Sequence, residues 1–226
     1  MKDTRFDYEL ASWQALLRML AYLVSRGYYY WHITYIPEKK LHKASDIDKR
    51  LIERYGARKS KFQRARQKKK GEANFYYMRW HNVVVMLHTV GEIKFEIEDE
   101  FFDIRKQPLE IKISELVSFV LRFRPKKGGS GNYTFYLSKD TYKKLKEDIS
   151  HNAGLKQMNK LYGAFKRFNN FPSYYGILSQ KMQLKTYLFK QAKKHGLRYN
   201  EDNFVIKNKI NNKIKIWKEP INDEDS

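Results

Sequence analysis

Residues 74–89, NFYYMRWHNVVVMLHT, begin a region rich in aromatic and β-branched side chains. From there to about residue 137, apolar side chains recur in steps of two. A period of two predicts β-strands, because successive side chains of a strand point to opposite faces of the sheet. The predicted strands cover residues 75–80, 82–89, 93–98, 110–113, 116–124 and 132–137. The stretch PKKGGSG at 125–131 predicts a hairpin loop with a basic tip.

Helical spacing precedes this β-rich region. Apolar residues at 13–24 recur every three or four positions, and Gly27 follows where a helix C-cap is expected. The aromatic run at 28–36 predicts a strand that Pro37 ends. A second helix is expected from Ser45 to about Tyr55, because Ser45 can cap its start.

A helical region is predicted to follow the strands. Ser138 is a favourable N-cap for a third helix, and further helices are expected at 155–168 and 177–195. Two short strands at 204–206 and 214–217 would form a basic hairpin around the turn NKINNK. Three helices followed by such a hairpin would resemble a winged helix in outline.

The predicted fold class is α+β, with N-terminal helices packed on a mainly antiparallel sheet and a helical C-terminal region that a winged-helix arrangement would fit. We place an α+β domain at 1–137, a helical region with a basic hairpin at 138–220, and an acidic tail at 221–226. At 226 residues, the chain has the length of one large domain or two small ones.

The composition excludes several classes of site. Cysteine is absent, so disulfides, cysteine-based zinc sites, iron–sulfur clusters and thiol nucleophiles are excluded. We therefore expect an intracellular protein of a reducing compartment, either the cytoplasm or an organelle matrix or stroma. No apolar run approaches the roughly 18–20 residues that span a bilayer, so no membrane partner is expected. A phosphate-binding GxxxxGK[ST] loop is also absent.

The charge points to a polyanionic partner. The formal net charge is +21, and residues 54–70, RYGARKSKFQRARQKKK, hold nine Lys or Arg with no acid. Such a density suits a phosphate backbone better than a single anion. A second basic surface is predicted near the C-terminus. The predicted nucleic-acid contacts are Arg54, Arg58, Lys59, Lys61, Arg64, Arg66, Lys68, Lys69, Lys70, Lys126, Lys127, Lys181, Lys185, Lys193, Lys194, Lys213 and Lys215.

Aromatic residues accompany this charge. Those at 28–31, 75–77, 101–102 and 174–175 could stack on unpaired bases, as aromatic side chains do in single-strand and RNA binders. Alternating strands also need one buried face, so we expect most of them in the core, including Phe75, Tyr77, Tyr133 and Phe135.

An acidic cluster within residues 92–103 raises a second hypothesis. Neighbouring carboxylates can hold Mg²⁺, the usual cofactor for cutting phosphodiesters, and Glu110-Ile-Lys112 has the (D/E)-x-K form of metal-dependent nucleases. The candidate catalytic residues are Glu92, Asp99, Asp103, Glu110 and Lys112. The simpler interpretation is that Glu96, Glu98 and Glu100 face solvent and pair with Arg105 and Lys106.

The sequence thus predicts a nucleic-acid-binding protein, with RNA or single strands preferred. It would act as a ribonucleoprotein subunit, alongside other proteins of the complex, or as a replication or mobile-element binding factor. One alternative is a Mg-dependent nuclease acting on DNA or RNA. Another is a structural, ribosome-associated protein. The predicted cofactor is none for the binding protein and Mg²⁺ for the nuclease.

Overall fold

The computed structural model of this chain describes residues 8–208 and 214–218. The chain forms two compact units. Unit 1 comprises Met1–Leu109 and Lys213–Ser226, and unit 2 comprises Glu110–Asn212. The domain boundary predicted at 137–138 does not coincide with this division, since Ser138 lies inside unit 2. The predicted acidic tail at 221–226 and the turn residues 209–213 lie outside the described residues.

Unit 1 has helices packed on an antiparallel sheet, as expected for an α+β fold. Its sheet has the strand order β2-β3-β1-β4. The elements of this unit are helix α1 (Trp13–Ser25), strand β1 (Tyr30–Tyr35), a 3-10 helix (Glu38–Lys43), helices α2 (Ala44–Arg54) and α3 (Lys61–Lys69), and strands β2 (Phe75–Trp80), β3 (Val83–His88) and β4 (Phe102–Asp103).

The central strand β3 is buried along its whole length. It pairs with β2 on one side, where Phe75 lies opposite His88, and with β1 on the other, where Tyr30 also lies opposite His88. Opposite residues of an antiparallel pair share a face. The ring of His88 therefore lies between those of Tyr30 and Phe75, at centroid distances of 4.6 and 4.8 Å. Burial lowers the pKa of His88.

Helix α2 is held to this sheet by a buried polar network. Asp48 is fully buried and accepts two hydrogen bonds from Nε of Arg79, at 3.0 and 2.9 Å. It also accepts a hydrogen bond from the hydroxyl of Tyr77. Arg79 pairs in addition with Glu9 at 3.1 Å. Burial raises the pKa of Asp48, and the hydrogen bonds from Tyr77 and Arg79 together with the charge of Arg79 offset part of that effect.

The C-terminal residues of the described chain return to unit 1. Trp217 forms an antiparallel bridge with Leu10, and the amide of Ala11 donates to the carbonyl of Ile216 at 2.9 Å. The amide of Lys218 donates to the carbonyl of Glu9 at 2.9 Å. Unit 2 is therefore inserted between two parts of unit 1.

Unit 2 combines a three-stranded sheet, in the order β5-β6-β7, with three helices. Strand β5 begins one residue before the unit does. The elements are strands β5 (Leu109–Lys112), β6 (Ser118–Pro125) and β7 (Gly131–Leu137), helices α4 (Lys139–Gly154), α5 (Met158–Asn169) and α6 (Tyr175–Lys194), and a 3-10 helix (Glu201–Asn203). The predicted helical C-terminal region is confirmed. Ser138 caps α4 as predicted, accepting from the amide of Thr141.

Two predicted features are wrong. Residues 93–98 form no strand; the side chains of Ile93 and Ile97 pack into the core cluster beneath α2 instead of the backbone joining the sheet. The hairpin at 204–217 is not formed by the described residues. Residues 204–206 have no strand assignment, and Trp217 pairs with Leu10 of unit 1.

Among the described residues, no helix is both long enough and apolar enough to cross a bilayer.

Candidate nucleic-acid interface

The basic segment predicted from the sequence contains a helix, α3, with a well-formed N-terminus. The side chain of Ser60 accepts from the amide of Gln63, and the side chain of Gln63 accepts from the amide of Ser60 at 2.7 Å. This reciprocal capping box satisfies amides at the start of the helix. Without such a cap, a short and almost wholly polar helix would be marginal.

Arg64 anchors α3 to the rest of unit 1. Its guanidinium lies 4.5 Å from the ring centroid of Tyr76, and Nη2 donates to the carbonyl of Ala57 at 3.1 Å. The carbonyl of Arg64 accepts from the side-chain amide of Asn74 at 3.2 Å. Arg64 was predicted to contact phosphate, but these contacts give its side chain a structural role.

The opposite side of α3 is exposed to solvent and strongly basic. Helical spacing places Phe62, Arg66 and Lys69 on this side, across the helix from Arg64. Phe62 is 83% exposed, and Ala65 is exposed as well, so these apolar side chains of the helix lie in solvent. The exposed basic residues of the helix and its C-cap are Lys61, Arg66, Lys68, Lys69 and Lys70. We call these five residues the α3 surface.

The carboxylate of Glu72 interacts with one member of the α3 surface, since the hydrogen bond from Lys94 and then the charges of Lys94 and Lys70 lower the pKa of Glu72. Within residues 8–208 and 214–218, no ion pair joins any of its five side chains to an acid. The nearest acid in sequence, Glu72, pairs with Lys94 at 2.7 Å. At the start of the basic segment, Arg54 pairs with Glu98 at 2.6 Å. Arg58 is exposed, whereas Lys59 is partly buried, and burial lowers its pKa.

A second basic feature of unit 1 was not predicted. The 3-10 helix and α2 form a groove of about 640 Å³, lined by Lys39, Lys40, His42, Lys43, Asp46, Ile47 and Arg50. The sequence signal is the run EKKLHK at 38–43, whose charge density is lower than that of 54–70. Only the fold brings this run beside Arg50.

The remaining predicted contacts are distributed over both units. Lys126 and Lys127 lie in the exposed β6–β7 loop, and Lys193 and Lys194 are exposed at the end of α6. Lys185 is half-buried and lies over the ring of Phe189. Lys215 is exposed in the returning segment of unit 1. Lys213 lies outside the described residues.

Lys181 cannot be a surface contact. Its side chain is fully buried, and Nζ donates to the carbonyls of Asn169 and Phe171 and to the hydroxyl of Ser173. Burial lowers its pKa to about 8. Lys181 was predicted to contact nucleic acid, but the loop between α5 and α6 covers this position.

That loop also holds the segment after α6. The side-chain amide of Asn169 donates to the carbonyl of Val205 at 2.9 Å, and its oxygen accepts from the amide of Lys207 at 2.8 Å. The hydroxyl of Ser173 donates to the carbonyl of Lys207 at 2.6 Å. Lys181 therefore stabilises the polar contacts on which residues 205–207 rest.

Two of the candidate catalytic residues, Asp103 and Asp99, have other side chains as partners. Asp103 forms a bidentate pair with Arg105, with Nε–Oδ1 at 2.9 Å and Nη2–Oδ2 at 2.7 Å, which lowers the pKa of Asp103. Asp99 accepts from the hydroxyl of Tyr55 and lies 3.8 Å from Nε2 of His32. Burial, and after it the hydrogen bond to Asp99, raises the pKa of Tyr55 to about 12.

Glu92 is exposed in unit 1, whereas Glu110 and Lys112 are exposed on strand β5. In the part of the chain that the structure describes, no group of three or more His, Asp or Glu side chains is arranged to hold a metal ion. Glu98 pairs with Arg54 rather than with the predicted Arg105 or Lys106.

Comparisons with protein-family models, with curated proteins and with solved structures returned no match for this chain.

Proposed function

We propose that this protein binds nucleic acid, with RNA or a single strand as the preferred form, and that the α3 surface is a phosphate contact. The observation that carries the proposal is a capped helix whose exposed basic side chains form no ion pair with a carboxylate in the described chain. Keeping such charges together is unfavourable unless a polyanion is bound. A phosphate backbone is the polyanion with matching repeated charge.

Two further observations support this proposal. The unpredicted groove at Lys39–Arg50 adds basic side chains within unit 1. Phe62 places an aromatic ring in solvent amid the charges of α3, where it can meet a base. The biological roles that fit are a ribonucleoprotein subunit, a replication or mobile-element binding factor, and a structural ribosome-associated protein.

The test is the salt dependence of binding. The triple variant Arg66→Gln, Lys68→Gln, Lys69→Gln removes three exposed charges and leaves the anchor Arg64 in place. If these side chains contact phosphates of a single strand, the slope of log K against log salt falls in magnitude by about 2. The measurement is fluorescence anisotropy with a labelled oligouridylate over a salt series.

The matched control is Lys139→Gln, Lys156→Gln, Lys160→Gln, which removes three exposed charges from unit 2. We expect the control to keep the wild-type slope. An unchanged slope in the α3 variant would mean that this helix is only a connection between α2 and the sheet. The nucleic acid retained through purification in moderate salt then separates the roles, since one discrete RNA indicates an assembly subunit and a mixture indicates a general binder.

A further inference from the structure

One face of the β6–β7 hairpin in unit 2 carries two arginines, Arg122 and Arg124. Strand β6 alternates between buried Phe119 and Leu121 and the more exposed Arg122 and Arg124. Because the two arginines are separated by one residue of a strand, they lie on the same face, about 7 Å apart along it. Opposite them in β7 are Thr134 and Asn132.

Each of these arginines lies over a tyrosine ring. The guanidinium of Arg122 is 4.0 Å from the ring centroid of Tyr136, and that of Arg124 is 3.2 Å from that of Tyr175. Tyr136 lies on β7 and Tyr175 is the first residue of α6. The two rings therefore hold both guanidinium groups in place, which reduces the entropy that each would lose on binding a ligand. We call Arg122, Arg124, Tyr136 and Tyr175 the Arg–Tyr face.

A close approach of α6 to β7 places Tyr175 there. The helix enters at Gly176, where an added Cβ would lie 2.5 Å from the carbonyl oxygen of Phe135. Further along α6, the side chain of Gln180 accepts from the amide of Leu137 at 2.7 Å and donates to its carbonyl at 3.3 Å. The position of Tyr175 thus follows from backbone contacts at the edge of the sheet.

The guanidinium groups of the Arg–Tyr face have no polar partner of their own. In the described parts of the chain, the guanidinium groups of Arg122 and Arg124 form no ion pair and donate no hydrogen bond to another residue. Arg122 is exposed, and Tyr175 is 54% exposed. Lys126 and Lys127 continue the positive charge into the hairpin loop. The face thus offers two planar sets of donors beside accessible aromatic surface.

We infer that the Arg–Tyr face binds a single nucleic-acid strand, with the two guanidinium groups donating to successive phosphates and Tyr175 stacking on an unpaired base. The inference rests on the proposed nucleic-acid binding and adds a site in unit 2 that is separate from the α3 surface. A guanidinium donates two parallel hydrogen bonds to a phosphate, which an ammonium group cannot do. An exposed ring beside that contact favours a strand whose bases are unpaired.

The test removes the planar guanidinium donors and keeps the net charge of the protein. In the variant Arg122→Lys, Arg124→Lys, the net charge is unchanged, but the planar donors and their stacking on tyrosine are lost. We expect this variant to bind a labelled oligouridylate about 10-fold more weakly than the wild type. We expect Tyr175→Leu to weaken the same complex about 5-fold or more, because stacking on a base is lost. The control is Arg167→Lys, Arg198→Lys, which changes two exposed arginines elsewhere in unit 2.

An RNA duplex of the same length completes the experiment. Duplex binding should change less than 3-fold in the two Arg–Tyr variants, because the arginines contact phosphates of a strand that an unpaired base holds on Tyr175, and a duplex offers no unpaired base. Wild-type affinity for oligouridylate in the double variant would overturn the inference, and so would equal losses for duplex and single strand. If the α3 variant loses its salt slope while the Arg–Tyr variants bind normally, only this inference fails. If the wild-type protein binds an acidic protein but neither nucleic acid, the proposed function fails with it.

Discussion

Replacing Lys181 with methionine should change how the stability of this protein depends on pH. The ammonium group of Lys181 is fully buried, and burial lowers its pKa from 10.5 to about 8, with the charge of Lys207 acting in the same direction. One pKa unit corresponds to about 1.4 kcal/mol. Keeping this group charged in the folded protein therefore costs about 3 kcal/mol relative to the unfolded chain.

The sign of the pH dependence follows from proton binding. The unfolded chain keeps the Lys181 proton until about pH 10.5, whereas the folded protein releases it near pH 8. Between these values the unfolded state binds more protons, so the free energy of unfolding rises with pH. The expected gain is about 3 kcal/mol by pH 10.5, and it is lost as pH falls through 8. K181M has no such group and lacks this gain.

Urea denaturation of the wild type and of K181M, repeated from pH 7 to 10.5, measures the effect. The difference in free energy of unfolding at each pH isolates Lys181, because the other titrating groups are shared. K181M also leaves the acceptors on Asn169, Phe171 and Ser173 without their donor, which lowers its stability further. As a control, Lys190→Met removes an exposed lysine from the same helix. A difference that stays constant within about 0.5 kcal/mol over this range would refute the reasoning.

The remaining predictions concern the packing of unit 1. Asp48→Asn should lower the free energy of unfolding by about 3 kcal/mol, because it removes one charge of the buried pair with Arg79. Urea denaturation measures this loss, with Glu53→Gln, an exposed position on the same helix, as the control. A loss no larger than that of the control would contradict the prediction. Gly91→Ala should destabilise by about 2 kcal/mol or more, because φ is +149° there and an added Cβ would lie 2.5 Å from the amide nitrogen of Ala73. Gly163→Ala, whose Cβ meets nothing within 4 Å, is the matched control. Equal melting temperatures for the two variants would show that the backbone beside the parallel bridge of Glu72 with Glu92 tolerates the side chain.

Local signals in the sequence were sufficient for most helices and strands. The strand predicted at 75–80 is observed as Phe75–Trp80, and Ser138 caps α4 as expected, because alternation and capping depend on neighbouring residues alone. Residues 93–98 have the same alternation, but the side chains of Ile93 and Ile97 pack into the core cluster beneath α2 without forming a strand. Nothing local distinguishes that outcome from a strand.

The sequence predicted the charge of the candidate site, but not which basic side chains are held by contacts within the protein. The sequence located the α3 surface, since Lys61–Lys70 is dense in charge wherever it folds. It could not show that Arg64 turns inward to Tyr76 or that Lys181 is covered by a loop, because both depend on segments distant in sequence. Arg122 and Arg124 were missed as a site because the sequence does not place Tyr175 above them.

Residues 214–218 return to pair with Leu10, so the stability of this pairing depends on the folding of unit 2. If unit 2 unfolds, this pairing has to close a loop of about 100 flexible residues, at an entropic cost of about 4 kcal/mol. A bridge of a few hydrogen bonds cannot offset that cost. We therefore expect loss of order in the inserted unit to release residues 214–218 from Leu10 of the other unit.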